Sequence, residues 1–305
     1  MSTAAAPELT PARAWILAAR PATLPAAVVP VLVGTAAALA EGAQFHAFIF
    51  VMTLLCSSLI QIGTNFANDY SDFLKGADHE GRLGPVRVTQ SGLISQYDVK
   101  RGILVVFGLA VIIGAYLAWI GGWPIILIGV LSVISGLAYT GGPYPLGYHG
   151  LGDLFVFVFF GVVAVTGTAY LQAGHWGMLP LTLSIPVGLL VTNILVVNNL
   201  RDLPTDVVAG KRTLATRIGD RASRIQYALF ALAAYAIPLA LGASDPARRW
   251  MLLPLLTIPL GASLVRQLLG GVSGRELNPL LKRTGQLLLA FGALLAIGAA
   301  LSGAG

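Results

Sequence analysis

Long apolar runs separated by short polar segments dominate the chain. An apolar stretch of about 20 residues crosses a bilayer, and nine segments approach that length. They are residues 23–40, 47–67, 102–119, 123–139, 153–172, 178–198, 226–242, 250–265 and 284–302. Because lipid offers no water to unpaired backbone groups, we expect each segment to be helical. The pattern predicts an all-α polytopic membrane protein, a bundle of nine transmembrane helices.

The composition supports this class. Charged residues make up 10% of the 305 residues and hydrophobic residues 56%, against about 25% and 45–50% in soluble domains. We expect a single domain over residues 1–305, in which residues 1–14 form a flexible amino-terminal tail.

The Lys and Arg residues fall almost entirely on one side of the predicted bundle. Of the 19, all except Arg248 and Arg249 lie in the amino-terminal tail or in the loops after spans two, six and eight. The positive-inside rule therefore places the amino terminus in the cytoplasm and, with nine spans in the inner membrane, the carboxyl terminus outside. The large loops 2–3 and 6–7 would form a cytoplasmic cap. The net charge of +6 largely reflects this bias, so we expect no nucleic-acid partner.

Two acidic motifs stand where an apolar run meets a polar loop, after spans two and six. Their Asn and Asp residues are Asn68, Asp69, Asp72, Asn198, Asp202 and Asp206. The four-residue stride places each set roughly on one face of a helix. A carboxylate beside the bilayer is costly and usually functional. Since spans two and six run in the same direction, the motifs are interpreted as two halves of one site.

So many carboxylates repel one another unless cations are present. Magnesium prefers oxygen ligands and normally combines one or two carboxylates with water and substrate phosphate oxygens. We predict Mg²⁺, as two ions, on Asp69, Asp72, Asp78, Asp202 and Asp206. The cations expected to bind phosphate directly are Lys75, Arg82, Arg87, Lys211 and Arg212. A lipid-embedded diphosphate substrate fits this arrangement best.

Five segments resemble the UbiA superfamily of intramembrane prenyltransferases. They are residues 20–25, 68–78, 84–92, 139–146 and 198–214, within a match from about residue 13 to 230. The family's first motif ends in an aspartate, where this chain has Gly76 with Asp78 close by. The branch that uses 1,4-dihydroxy-2-naphthoate resembles this variant, and the second motif is intact.

The resemblance implies a nine-helix bundle whose central cavity opens laterally to membrane lipid. It also implies Mg²⁺-dependent transfer of a polyprenyl group from polyprenyl diphosphate to 1,4-dihydroxy-2-naphthoate, with loss of carbon dioxide and diphosphate, to give a demethylmenaquinol. Other acceptors in the superfamily stay open: 4-hydroxybenzoate, haem and chlorophyllide-type rings.

The remaining polar residues each have a functional and a structural interpretation. Arg20, Arg82, Arg87 and Arg201 are candidates for binding the naphthoate carboxylate or the diphosphate, although Arg20 would also suit the membrane interface.

Lys211 is expected to reach phosphate. Asn68 and Asn198 suit phosphate or metal-bound water, or hydrogen bonds within the bundle. Tyr139 and Asp153 would orient a hydroxyl or accept a proton from the acceptor ring; interfacial anchoring and helix capping are the alternatives.

An ion-coupled transporter or a cation channel would also place aspartates in a membrane protein. Transport requires acidic residues near the middle of the bilayer, whereas these lie at the ends of spans. A transporter also leaves the cationic loops and the Asn-Asp pairing unexplained. The sequence therefore favours the enzyme.

Overall fold

The computed structural model describes residues 10–75, 83–85 and 87–303, and these form a helical bundle. Besides short 3₁₀ helices at Pro21–Thr23, Leu146–His149 and Gly274–Glu276, the described chain has ten longer helices. They are α1 (Pro11–Ala19), α2 (Pro25–Ala40), α3 (Ala47–Leu74), α4 (Gln96–Gly121), α5 (Trp123–Ala138), α6 (Gly152–Ala173), α7 (Met178–Val208), α8 (Leu214–Ser244), α9 (Pro246–Leu269) and α10 (Leu277–Gly303). Helix α6 contains a π-helical stretch over Phe157–Val163, and α9 begins as a 3₁₀ helix over Pro246–Thr257.

Seven of these helices, α3, α4 and α6 to α10, are long and apolar enough to cross a membrane. The chain is thus an integral multi-pass membrane protein. The predicted first span corresponds to α2, which has only 16 residues and meets the preceding Pro11–Thr23 segment at a 51° bend. The predicted fourth span, α5, is likewise a shorter helix of 16 residues. All nine predicted segments overlap a helix, but two of them are shorter than a full span.

The bend before α2 is encoded locally. Arg20 adopts a left-handed conformation with φ 51°, and among the described residues no other residue except glycine has a positive φ. Pro21 and Pro25 follow, and proline is well suited to the first turn of a helix but not to its interior. The chain therefore ends one helix and starts another within a few residues.

Both acidic motifs lie on helices that extend beyond the apolar runs. Helix α3 continues to Leu74 and α7 to Val208. The predicted large loop between spans six and seven is accordingly mostly helical, since α8 starts at Leu214 and only residues 209–213 connect them. Gly219, with φ 83° and ψ 173°, breaks the first turn of α8 from the rest. Part of the other predicted cap loop, residues 76–82 and 86, lies outside the described residues.

Helix α7 lies at the centre of the bundle and belongs to the main core together with α2, α8, α9 and α10. Its contact with α6 is close because both helices have glycine there. A Cβ atom added at Gly161 would lie 2.6 Å from the Cα atom of Gly188. Small residues commonly allow such backbone approach between membrane helices. This packing fixes α7, and therefore the second acidic motif, relative to the cavity.

Candidate active site

A cavity of about 930 Å³ lies between helices α2 to α7. Most of its wall is apolar and comes from α4, α5 and α6, including Val111, Ile126, Val130, Phe159 and Phe160. The acidic lining residues, Asp72, Asp202 and Asp206, lie at the end where α3 and α7 finish. Side chains of both acidic motifs line this end, so the two motifs do meet at one site as their spacing predicts.

Asp72 is at the centre of the polar end and is 3% exposed. Its Oδ2 accepts a hydrogen bond from Arg87 Nη2 at 2.8 Å, and its Oδ1 accepts one from the Tyr148 hydroxyl at 2.6 Å. Lys211 Nζ lies 3.8 Å from the same Oδ1. A buried carboxylate requires such partners, since an isolated charge in a dry environment is costly.

Asp206 contributes from the other motif. Its Oδ1 lies 3.7 Å from Lys211 Nζ, so one ammonium group stands between carboxylates from α3 and α7. The Lys211 ammonium also lies 4.7 Å from the centre of the Tyr148 ring, a favourable cation–π distance. The turn that carries Lys211 is fixed by a backbone hydrogen bond from Lys211 N to Asp206 O at 2.9 Å.

Asp202 lines the cavity and is paired with its neighbour Arg201, which is 1% exposed. Arg201 Nε and Nη2 donate to the two carboxylate oxygens of Asp202 at 2.8 and 2.6 Å. Further bonds run from Nη2 to Asn198 Oδ1 at 2.8 Å and from Nη1 to Asn278 Oδ1 at 3.0 Å. Arg201 does not line the cavity. In the structure Arg201 contacts the motif itself, and its predicted contact with substrate stays a prediction.

Asn68 and Lys75 are both tied to Thr140, at the end of α5. The Thr140 hydroxyl donates to Asn68 Oδ1 at 2.7 Å, and Lys75 Nζ donates to the Thr140 carbonyl oxygen at 2.6 Å. Lys75 also lies 5.0 Å from the centre of the Tyr148 ring. Desolvation lowers the pKa of Lys75 and the nearby Lys211 adds to this, whereas Asp72 opposes it. Asn68 lines the cavity, whereas Lys75 is exposed and does not line it.

Asp69 has a structural role. It is 2% exposed, and its Oδ1 accepts hydrogen bonds from the backbone N–H of Thr89, at 3.1 Å, and from the Thr89 hydroxyl. It does not line the cavity. Asp69 thus anchors the segment that carries Arg87, and the geometry offers no support for the predicted direct contact with metal.

The structure divides the remaining predicted residues into two groups. Arg20, Arg87, Tyr139 and Asn198 line the cavity, the Tyr139 ring packing against Gly147 and Gly152. Asp153 and Arg212 do not line it.

Asp153 Oδ2 accepts a hydrogen bond from Gln226 at 2.7 Å, and the Arg212 side chain is exposed. This weakens their assignment as catalytic and phosphate-binding residues. The predicted Arg82 and Asp78 lie outside the described residues.

Three residues of the site were not predicted. Tyr148 binds Asp72 and faces two lysines, Thr89 holds Asp69, and Asn278 binds Arg201. Tyr148 lies in a loop with no Lys or Arg. Its partners Asp72, Lys75 and Lys211 are all distant from it in sequence. Asn278 comes from a part of the chain outside the recognisable motifs. The available signals were the Gly- and Pro-rich composition of the Tyr148 loop, which indicates irregular backbone, and the position of Thr89 within the segment 84–92 that resembles the superfamily.

The donor set fits Mg²⁺ only if substrate completes the coordination. Within the described ranges, no group of three His, Cys, Asp or Glu side chains is close enough to hold a metal alone. Asp72 and Asp206 nevertheless share the Lys211 cation, and Asp202 lines the same end. Mg²⁺ commonly uses one or two carboxylates together with water and phosphate oxygens. The residues therefore suit a metal that arrives with a phosphate-bearing substrate.

Similar solved structures define the fold class. A UbiA homolog from Archaeoglobus fulgidus bound to DMAPP and Mg²⁺ superposes with a TM-score of 0.64 at 15% identity, covering 93% of this chain and 99% of the homolog. An apo UbiA homolog from Aeropyrum pernix K1 gives the same TM-score over 89% and 96%. At this identity the likeness establishes the fold alone, which is that of the UbiA homologs.

The sequence defines the family. The pattern of the UbiA prenyltransferase family matches residues 27–281, so the chain belongs to that family. The 1,4-dihydroxy-2-naphthoate octaprenyltransferase of Mycobacterium tuberculosis is 39% identical over 278 residues, which cover 90% of this chain and 92% of the relative. The enzyme of that name from Escherichia coli is 35% identical over 286 residues, covering 91% and 92%.

Proposed function

We propose that the protein transfers a polyprenyl group from polyprenyl diphosphate to 1,4-dihydroxy-2-naphthoate. The allylic carbon–oxygen bond breaks and diphosphate leaves. The ring carbon that bears the carboxylate forms a bond to the allylic carbon, and its bond to the carboxylate breaks. Carbon dioxide then departs, and the ring becomes aromatic again as a hydroquinone, a demethylmenaquinol. The names of the similar enzymes support this acceptor.

One geometric observation supports the diphosphate half of the reaction. Asp72 on α3 and Asp206 on α7, helices with three others between them along the chain, stand on either side of Lys211 at the polar end of an apolar cavity. A diphosphate placed there has acidic residues for metal ions and cationic groups for its oxygens. The apolar remainder of the cavity suits the prenyl chain.

The polar end binds and orients the diphosphate. Asp72, Asp202 and Asp206 would hold Mg²⁺, as two ions, and the metal supplies charge neutralisation for the leaving diphosphate. Lys211 and Arg87 contact phosphate oxygens directly, which stabilises the charge that develops on them. Arg201 keeps Asp202 oriented, and Tyr148 orients Asp72.

The apolar walls protect the developing allylic cation. Phe155, Phe159 and Phe160 of α6 line the cavity together with aliphatic side chains of α4 and α5. Water held away from the cation cannot hydrolyse it. Aromatic faces also attract cations, with a strength that grows as water is removed. The electron-rich naphthoate ring is then the nucleophile within reach.

The membrane arrangement forms part of the proposal. Counting α2 and α5 as spans gives nine in the described chain, with both acidic motifs and the amino terminus in the cytoplasm and the carboxyl terminus outside the inner membrane. The positive-inside distribution supports this orientation. Diphosphate then enters from the aqueous side while the polyprenyl chain remains in contact with membrane lipid.

Product analysis tests the proposal. Detergent-solubilised protein receives Mg²⁺, a polyprenyl diphosphate and either 1,4-dihydroxy-2-naphthoate or 4-hydroxybenzoate, and product masses are recorded. We expect a prenylated naphthalenediol that has lost the mass of carbon dioxide. Exclusive use of 4-hydroxybenzoate would refute the assigned acceptor while preserving prenyl transfer. Absence of any prenylated product with active, folded protein would refute both.

A further inference from the structure

A polar row follows α3 from the acidic motif into the cavity. It includes Asn68, Asn65, Gln61 and Ser57, all of which line the cavity at steps of three or four residues. Gln61 lies three helical turns from Asp72, about 16 Å along the helix axis. That length accommodates a diphosphate followed by one bicyclic ring. Gln61 is 7% exposed.

A single threonine fixes the orientation of the Gln61 amide. The Thr23 hydroxyl donates its only proton to the carbonyl oxygen of Arg20 at 2.9 Å. The hydroxyl oxygen can therefore only accept from its other neighbours. It accepts from Gln61 Nε2 at 3.2 Å and from Asn65 Nδ2 at 3.1 Å. Reversing the Gln61 amide would place two acceptors against each other.

The same arrangement leaves the Gln61 carbonyl oxygen available. Gln61 Oε1 is buried and has no hydrogen-bond partner in the described part of the chain. A buried acceptor without a donor is unfavourable, and such groups are rare in native proteins. Because Gln61 lines the substrate cavity, a donor carried by a bound ligand would satisfy it.

The chemistry of the two substrates identifies the ligand. Ionised polyprenyl diphosphate has no hydrogen-bond donor, and its chain is apolar. The naphthoate has two hydroxyl groups, of which the 1-hydroxyl lies beside the carboxylate and bonds to it internally. The 4-hydroxyl, on the far side of the ring, keeps a free proton. We propose that Gln61 Oε1 accepts a hydrogen bond from the 4-hydroxyl of the acceptor and so selects a 1,4-hydroquinone, an inference that rests on the proposed function.

In this assignment the two ends of the polar row bind different groups of the substrates. Asp72 and Lys211 hold the diphosphate at one end, and Gln61 holds the hydroxyl that points away from the bond-forming carbon. Gln61 contacts substrate but no reacting atom, so it determines specificity and position. A site built to bind a hydroxyl group discriminates against the analogue that lacks it, because its polar group then stays unpaired.

Equilibrium binding without prenyl diphosphate tests the proposal, since no turnover occurs. Dissociation constants for 1,4-dihydroxy-2-naphthoate and 1-hydroxy-2-naphthoate are measured under anaerobic conditions with Mg²⁺. We expect the wild type to favour the dihydroxy compound by about tenfold, the contribution of one hydrogen bond. Gln61→Met should bind both compounds equally.

Gln172→Met is the matched control. Gln172 is 4% exposed, lies away from the cavity lining, and uses both ends of its amide on the backbone of His46, at 2.9 and 3.3 Å. Its replacement should reduce stability and leave the tenfold preference intact.

An unchanged preference in folded Gln61→Met, or equal binding of the two compounds by the wild type, would overturn the inference. Either result is compatible with continued naphthoate prenylation by the wild type. Loss of wild-type naphthoate prenylation would instead refute the proposed function.

Discussion

The guanidinium group of Arg201 donates to both carboxylate oxygens of Asp202, at 2.8 and 2.6 Å. Bidentate pairs of this kind are strong and directional. Arg201 is 1% exposed and also binds Asn198 and Asn278, so the pair belongs to a buried network. Asn278 extends this network to the first predicted cap loop, through a bond from its Nδ2 to the Leu83 carbonyl oxygen at 2.9 Å.

Asn278→Ala should therefore destabilise the protein. The substitution leaves an Arg201 N–H and the Leu83 carbonyl oxygen without their partner, and we expect a loss of about 1–3 kcal/mol in the free energy of unfolding. Thermal unfolding in detergent measures this. Glu276→Gln, at an exposed neighbouring position, should unfold like the wild type. Equal stability of the two variants would contradict a structural role for Asn278.

Asp72→Asn and Asp202→Asn should each abolish Mg²⁺-dependent prenyl transfer. Both changes keep the size of the side chain and remove the charge that a metal and its diphosphate require. We expect turnover to fall by about 100-fold or more, measured with purified protein over a Mg²⁺ titration. Asp98→Asn, at an exposed helix start, is the control. Full turnover in both motif variants would refute the metal site.

Lys211→Met should weaken binding of the diphosphate and slow its departure. Lys211 is the cation shared by Asp72 and Asp206, and its removal takes away a charge-assisted contact as well as a neutralising group. A decrease in kcat/KM for polyprenyl diphosphate of about 100-fold is expected, with a much smaller change in KM for the aromatic acceptor. Lys100→Met, an exposed lysine on α4, should behave as wild type. Equal loss in both variants would point to a nonspecific charge effect.

Tyr148→Phe separates the two contributions of Tyr148. The change removes the 2.6 Å hydrogen bond to Asp72 but retains the aromatic ring that lies near Lys75 and Lys211. We expect kcat/KM to fall by about tenfold, the contribution of one hydrogen bond to a charged group.

Tyr148→Ala should cost more, because the ring is lost as well. Tyr144→Phe is the control, since Tyr144 is exposed and stacks on His149. If Tyr148→Phe had full activity, the hydroxyl would have no part in orienting Asp72.

The helices were largely predictable because each apolar run satisfies its own backbone hydrogen bonds in lipid. Their ends were less predictable. Helix α7 continues through Arg201 and Asp206 to Val208, since polar side chains there find partners in the bundle. Conversely, the left-handed Arg20 ends α1 at a point where the apolar pattern alone does not indicate a bend.

The class of protein, the approximate helices and the two acidic motifs were predictable, because hydrophobicity and the four-residue spacing are properties of short segments. Which polar residues face the cavity, and which support their neighbours, depends on how the helices pack. Asp69 and Asp72 are three residues apart, yet one holds Thr89 and the other meets Arg87, Tyr148 and Lys211. Partners so distant along the chain are brought together by packing, and local spacing does not specify that packing.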